Sequence, residues 1–192
     1  MADTRKYNVP FRRKRTGKTD FKQRLSLLKS RKPRLVVRKS LQGVVTQLVE
    51  YTPDGDKVIT TVRTSDLKKY GLTVLNGNVP TAYLTGLLLG KKALAKGVSE
   101  AIVDAGLQKL TDQSRIFAVV KGAVDAGLDV HSSDSHFPSE ERLTGVHIEK
   151  FAQAVADNAD VYNRQFSGYI AAKIDPKAIS KTFATVKAKI VG

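Results

Sequence analysis

The chain has 192 residues, 41% of them hydrophobic and 27% charged, with a formal net charge of +15. That composition belongs to a folded, soluble protein rather than a disordered one, and the length suffices for one domain with a core plus extensions. The chain has no cysteine, which excludes disulfides, thiolate nucleophiles, zinc ribbons and iron–sulfur ligation and fits a reducing cytosol; the N-terminus carries no apolar signal segment, and the longest apolar tract, around 82–89, is broken by Thr85 and Gly86 and too short to span a membrane.

Charge is the outlier, and it is lopsided. Residues 1–40 hold 15 Lys/Arg against Asp3 and Asp20, a net of +13, whereas residues 41–192 hold 18 against 16, a net of +2. Crowding of one sign is unfavourable without a polyanion to neutralise it, so the basic segment implies RNA, DNA or an anionic surface as partner. Residues 1–19 carry Arg5, Lys6, Arg12, Arg13, Lys14, Arg15 and Lys18, with Tyr7, Pro10 and Phe11 between them. They show no apolar periodicity and are expected to be extended and mobile until bound. Gly17-Lys18-Thr19 spells the end of a phosphate-binding P-loop, but Arg12 stands where the first glycine would be and no buried strand precedes it. The better assignment for Gly17 is a joint between a basic arm and a helix.

That helix is expected over residues 20–30. Phe21, Leu25 and Leu28 fall on one helical face, with Asp20 as N-cap and Gln23 completing a capping box. Pro33 closes it, and a β-branched run over 35–38 opens a strand. Two more strands, 43–51 and 57–63, flank the turn sequence PDGD at 53–56, giving an antiparallel meander. The alternation in 43–51 leaves open which face is buried. A short helix capped by Ser65 follows, then a long one over 81–97 with Tyr83, Leu84, Leu87, Leu88 and Leu94 as its apolar stripe. Gly86 and Gly90 on one face of it are expected to let the backbone approach the sheet closely. Residues 100–107 read as a strand. Residues 114–127 read as a helix with Ser114 as N-cap, Ile116, Val119, Val120 and Val124 as apolar face and Gly127 as stop.

The expected fold class is therefore α/β: a meander followed by α-β-α, with helices packed on one mixed sheet. Residues 131–145 are polar and turn-rich. Beyond them lie two helical segments, one near 147–158 and one opened by Asp175 and Pro176 near 175–190, with thin apolar faces that suit docking on another surface. The organisation is then a basic arm and short helix (1–30), a globular α/β domain (31–130) and a loop with a helical C-terminal extension (131–192).

Candidate chemistry is sparse. His131, Asp134 and His136, with His147 nearby, lack the spacing that presents metal ligands together, and no Cys assists. Glu140 and Glu141 are adjacent and point apart on a helix, so they make no acid–base pair. Three His in the chain support no nucleophile–His–acid arrangement. The basic arm differs: Lys and Arg neutralise phosphates, and Tyr7 and Phe11 can stack on unpaired bases. Phe21, which shares a face with Leu25 and Leu28, is expected in the core.

The stretches VPFRRKRTGKTDFKQRLSLLKSRKPRLVVRKS, GNVPTAYLTGLLLGKKA, EAIVDAGL, IFAVVKGAVDAGLDV and RLTGVHI, in that order, closely resemble archaeal members of the L-eighteen family of large-subunit ribosomal proteins, the 5S rRNA binders. The resemblance covers nearly the whole chain, and the extension from about His131 is similar to the archaeal and eukaryotic branch. It implies a non-enzymatic structural protein of the cytoplasmic ribosome that helps attach 5S rRNA to the large rRNA and the central protuberance. Its partners would be 5S rRNA, the large-subunit rRNA and neighbouring ribosomal proteins, with no cofactor, metal, membrane or small-molecule substrate. By matching position, Arg5, Lys6, Arg12, Arg13, Lys14, Arg15, Lys18 and Arg24 are the expected phosphate contacts, and Lys29, Arg31, Lys32, Arg34, Arg38, Lys39 and Ser40 are expected to face RNA as well. One departure is Arg31, where relatives commonly have Gly. The alternative, an RNA-binding subunit of a nucleic-acid-processing enzyme, would require metal-binding carboxylates near the basic region, and few acids are there.

Overall fold

The β-branched run after Pro33 forms the central strand of the molecule. In the computed structural model, which describes residues 8–72 and 77–192, β1 (Arg34–Lys39) pairs antiparallel with β2 (Val44–Thr52), and β2 with β3 (Gly55–Arg63). The hairpin turn falls at Pro53-Asp54, within the expected PDGD, and Gly55 takes the positive φ that closes it. On its other side β1 pairs in parallel with β4 (Glu100–Asp104), and β4 with a two-residue β5 (Asp129–Val130). The order β3-β2-β1-β4-β5 is one mixed sheet, as the meander and α-β-α pattern implied, with β5 as an unforeseen edge.

Parallel neighbours need crossovers, and two helices supply them. α3 (Val79–Leu94) precedes β4, and α4 (Arg115–Asp125) links β4 to β5. The register settles which sheet face they cover: Leu35, Val37, Val44, Thr46, Leu48 and Val62 are buried on that side. α3 begins where Asn78 accepts hydrogen bonds from the Thr81 amide (3.0 Å) and hydroxyl (2.5 Å). It is buried nearly all round because it lies between the sheet, α4 and the last helix.

The glycines of α3 serve α4 rather than the sheet expected of them. A Cβ on Gly86 would stand 2.0 Å from the Val119 carbonyl oxygen, and one on Gly122 would stand 2.1 Å from the Tyr83 carbonyl oxygen. The two backbones therefore touch, each helix giving a glycine to the other. Sequence spacing put Gly86 on a packed face; only the tertiary arrangement could say against what.

Other local details differ from the sequence reading for identifiable reasons. The segment Thr64–Tyr70 is a 3-10 helix whose first turn is closed by Asp66, its Oδ2 accepting from the Arg63 amide at 2.9 Å. Ser65 lies inside it rather than capping it. The arm is not simply extended: α1 (Arg12–Arg15) makes one helical turn before α2 (Phe21–Leu28). Asp20 does cap α2, its Oδ1 accepting from the amides of Lys22 (2.9 Å) and Gln23 (3.1 Å). The face that α2 turns inward is Phe21, Arg24, Leu27 and Leu28, all half-buried, while Leu25 is 59% exposed. Arg24 displaces Leu25 because it reaches a carboxylate described below.

Beyond residue 130 come α5 (Glu140–Thr144), α6 (Val146–Ala154), α7 (Ala159–Gln165), α8 (Ser167–Ala171) and α9 (Ile179–Val191). Phe183, Val186 and Ile190 of α9, with Leu143 of α5, join the same hydrophobic core as α3 and the sheet. Asp175 caps the 3-10 turn Pro176–Ala178 at the expected start of this segment, and the α-helix proper, α9, begins one turn later at Ile179. α7 and α8 carry no sequence periodicity long enough to reveal them; Phe151, Tyr162, Phe166 and Tyr169 cluster there, with ring centroids 5.1–5.9 Å apart.

The glycine contact gives a direct test. Gly86→Ala should destabilise the protein by about 1–3 kcal/mol or more by forcing α3 and α4 apart. Gly168→Ala in α8, with nothing within 4 Å, should be neutral or stabilising by about 0.5 kcal/mol. Urea unfolding of both variants measures this, and equal midpoints would contradict the packing described.

Candidate nucleic-acid interface

The second face of the sheet carries no long helix. By strand alternation Arg34, Val36 and Arg38 of β1 and Val45, Gln47 and Val49 of β2 point there. The arm arches over it, and between them lies an open cleft of about 600 Å³. Val36, Val49 and Val58 give it an apolar floor, and Arg13, Lys18, Arg24 and Arg38 contribute basic walls.

The arm is shaped by its own turn. Gly17 holds φ +61°, a left-handed position that closes α1, with its amide donating to the Lys14 carbonyl (3.1 Å) and the Lys18 amide to the Arg13 carbonyl (2.9 Å). Arg13 Nε donates to Thr19 Oγ1 at 2.8 Å. A P-loop would need these amides free to wrap phosphate; here they are spent on helix carbonyls. The Phe11 ring meets Phe21 at 5.3 Å between centroids, which brings the start of α1 against α2. Phe11 itself stays 73% exposed. Phe21 is half-buried against this arm ring rather than part of the main core cluster.

Beneath the arm sits a buried ion network. Arg34 is 2% exposed. Its Nη1 donates to Asp104 Oδ2 at 2.7 Å, and its Nη2 lies 2.7 Å from Asp56 Oδ2, close enough for charge pairing though not aligned as a hydrogen bond. Asp56 also accepts from Arg24 Nη2 (2.8 Å), and Asp104 from Arg38 Nη2 (3.0 Å) and the Gly106 amide (2.9 Å). Burial alone would raise the Asp104 pKa; the Arg38 charge, with hydrogen bonds from Arg38, Arg34 and Gly106, outweighs it and holds the carboxylate below its ordinary value. Burial likewise opposes ionisation of Asp56, and the close Arg34 guanidinium, with the Arg24 hydrogen bond and charge, reverses the balance and lowers its pKa. Arg34 loses hydration on burial, but Asp56 and Asp104 more than compensate and raise its pKa.

The family described as ribosomal large subunit proteins 60S L5 and 50S L18 matches this chain over residues 5–100 and 95–133. The chain belongs to that family. It is also 47% identical over 191 residues, covering 100% of this chain and 99% of the relative, to the large ribosomal subunit protein uL18 of Methanococcus maripaludis. Members of the family are structural, non-enzymatic constituents of the large ribosomal subunit, working in the cytoplasm within the ribosome.

The residues that sequence singled out occupy three settings. Arg12, Arg13, Lys14, Arg15 and Lys18 are exposed on the arm, and Lys29 and Arg31 are exposed after α2. Arg24, Arg34 and Arg38 are joined by Asp56 and Asp104, and Lys32 is paired with Glu100 Oε2 at 2.6 Å. Lys39 and Ser40 stand at the end of β1: the Lys39 backbone is clasped by the Gln108 side chain, and the Ser40 hydroxyl closes the turn to Gly43. Arg5, Lys6 and Tyr7 lie outside the described residues. Arg31 holds φ +56°, a left-handed conformation that glycine adopts more readily than arginine. His136 is paired with Asp112 at 2.6 Å and stacked on Phe117, apart from any cluster of three potential metal ligands among the described residues. No described helix is long and apolar enough to cross a membrane. Asp56 and Asp104 were missed by sequence reading because their partners lie far along the chain.

The carboxylates make stability pH-dependent with a defined sign. A depressed folded pKa contributes stability that is fully present above the unfolded value of 3.8 and lost as pH falls through the lower folded value. Wild-type urea midpoints should therefore drop on acidification below about pH 4. Asp104→Asn should flatten that drop and cost on the order of 3 kcal/mol at pH 7, because the buried Arg34 loses a charge partner. An unaltered acid profile in the variant would contradict the network's role.

Proposed function

We propose that this protein binds 5S rRNA and helps attach it to the large rRNA at the central protuberance. The observation that carries this reading is the arm: Arg12–Arg15 and Lys18 form an exposed cationic row with no acidic residue in the α1 turn, set beside a cleft whose floor is partly apolar. Such a surface combines counterion release with stacking, the two contributions that RNA rewards. In this reading Arg12, Arg13, Lys14, Arg15, Lys18, Lys29 and Arg31 meet phosphates and Phe11 stacks on a base, with Arg5, Lys6 and Tyr7 as further RNA-binding residues. Arg38, half-exposed at the cleft wall, reaches RNA, while Arg34 and Arg24 fix the frame on which the arm rests. The large rRNA and adjacent large-subunit proteins complete the setting.

The test is a salt-titrated competition among 5S rRNA, tRNA and duplex DNA, for the full chain and for residues 20–192. Preference for 5S rRNA should persist at high salt, where nonspecific phosphate binding fades. Removal of residues 1–19 should reduce the salt slope by several units, about one for each phosphate that the arm neutralises. Equal affinity for the three nucleic acids would sink the 5S assignment.

A further inference from the structure

A second basic site lies on the other side of β1. Arg38 and Lys39 are successive residues at the carboxyl end of that strand and face opposite ways: Arg38 lines the cleft, and Lys39 lines a separate pocket of about 370 Å³. The other cationic walls of this pocket are Arg115, the first residue of α4, and Arg142 of α5. The residue types here invert those of the cleft. In the cleft, Arg24, Arg34 and Arg38 are each paired with Asp56 or Asp104; in the pocket no carboxylate is among the lining residues, and none of Lys39, Arg115 or Arg142 makes a salt bridge among the described residues.

Arg115 is held ready without being neutralised. Its Nη1 donates to the carbonyls of Ser40 (2.9 Å) and Gly77 (2.7 Å), leaving Nε and Nη2 for another acceptor. Gly77 makes room for this: a Cβ there would come 2.8 Å from Arg115 Nη1. The start of α4 is open as well. Ser114 occupies the N-cap position without making a side-chain cap, and the first turns of both α3 and α4 lack acidic residues. First-turn amides with no side-chain cap carry partial positive charge suited to an anion. Two further residues of the wall, Ser114 and His147, carry buried polar atoms, Oγ and Nδ1, that have no hydrogen-bond partner. Three uncompensated cations, an uncapped helix start and two unpartnered polar atoms converge on one concavity at the carboxyl end of the parallel strand pair, where α/β sheets place ligands.

We propose that this pocket binds a phosphate group of the RNA backbone, a second anchor beyond the arm; this rests on the RNA-binding reading above. With Arg38 on one side of the strand and Lys39 on the other, the bound RNA passes around the end of β1 instead of following the arm alone.

Arg142 is the residue to change, since it is exposed and makes no side-chain bond among the described residues, so Arg142→Ala should leave the melting temperature in place. In the full chain, Arg142→Ala should reduce the salt slope of 5S rRNA binding by about 1, with Arg142→Lys recovering it. Titration with inorganic phosphate, followed on the amide resonances of residues 115–117, should give a saturable shift that Arg142→Ala weakens. An unchanged salt slope in Arg142→Ala overturns the proposal. If phosphate nonetheless saturates those amides, the pocket serves a free anion and not RNA. Loss of binding on removing residues 1–19 with a silent Arg142→Ala defeats the pocket alone; indifference to both changes defeats the RNA-binding reading itself.

Discussion

Arg34 is the charge around which the molecule is arranged. A guanidinium removed from water costs several kcal/mol unless opposite charge and hydrogen bonds replace the lost hydration. Asp104 comes from the neighbouring parallel strand and Asp56 from the far hairpin, so satisfying one side chain aligns β1, β3 and β4 at once. Asp56 then reaches Arg24, which ties α2 to the sheet. The position of the basic arm is thus decided by a charge that is itself hidden from solvent.

The two faces of the sheet solve different problems. One is dry: α3 lies on it and α4 against α3, so closely that glycines replace side chains where the helices cross. The other is left to polar groups, valines and the arm, and its exposed apolar residues, including Tyr51 and Val58, are the sort of surface a folded chain keeps for a partner. The basic excess is therefore sorted by place. Where cations are deep they are matched by aspartates, and where they are unmatched they are accessible to a polyanion.

Much of this was legible in the sequence, because it depends on near neighbours. The hairpin around PDGD, the Asp20 cap, the presence of α3 and α4 and the lopsided charge all follow from local chemistry, although α3 starts two residues before the expected 81 because Asn78 caps it. What escaped was decided at a distance. Leu25 matched helical spacing with Phe21, yet Arg24 took the inward place because Asp56 waits there. Gly86 announced close packing without naming Val119 as its neighbour. Ser65 looked like a cap until Asp66 reached back to the Arg63 amide. Arg115, Arg142 and His147 belong to three different helices, and no spacing rule assembles them. The arm's helical turn at Arg12–Arg15 escaped because four successive cations leave no apolar periodicity to read.

The pairing of Arg34 with Asp104 joins positions 70 apart in the chain. The hairpin partners of β1 are much nearer, so the meander is the cheaper piece to close and β4 must cross a larger entropic barrier to arrive. Until it does, Arg34 has only the hairpin's aspartate. The same residue that makes the finished sheet a single unit thus makes the half-finished one incomplete, and it couples the local part of the fold to the distant parallel strand that must find it.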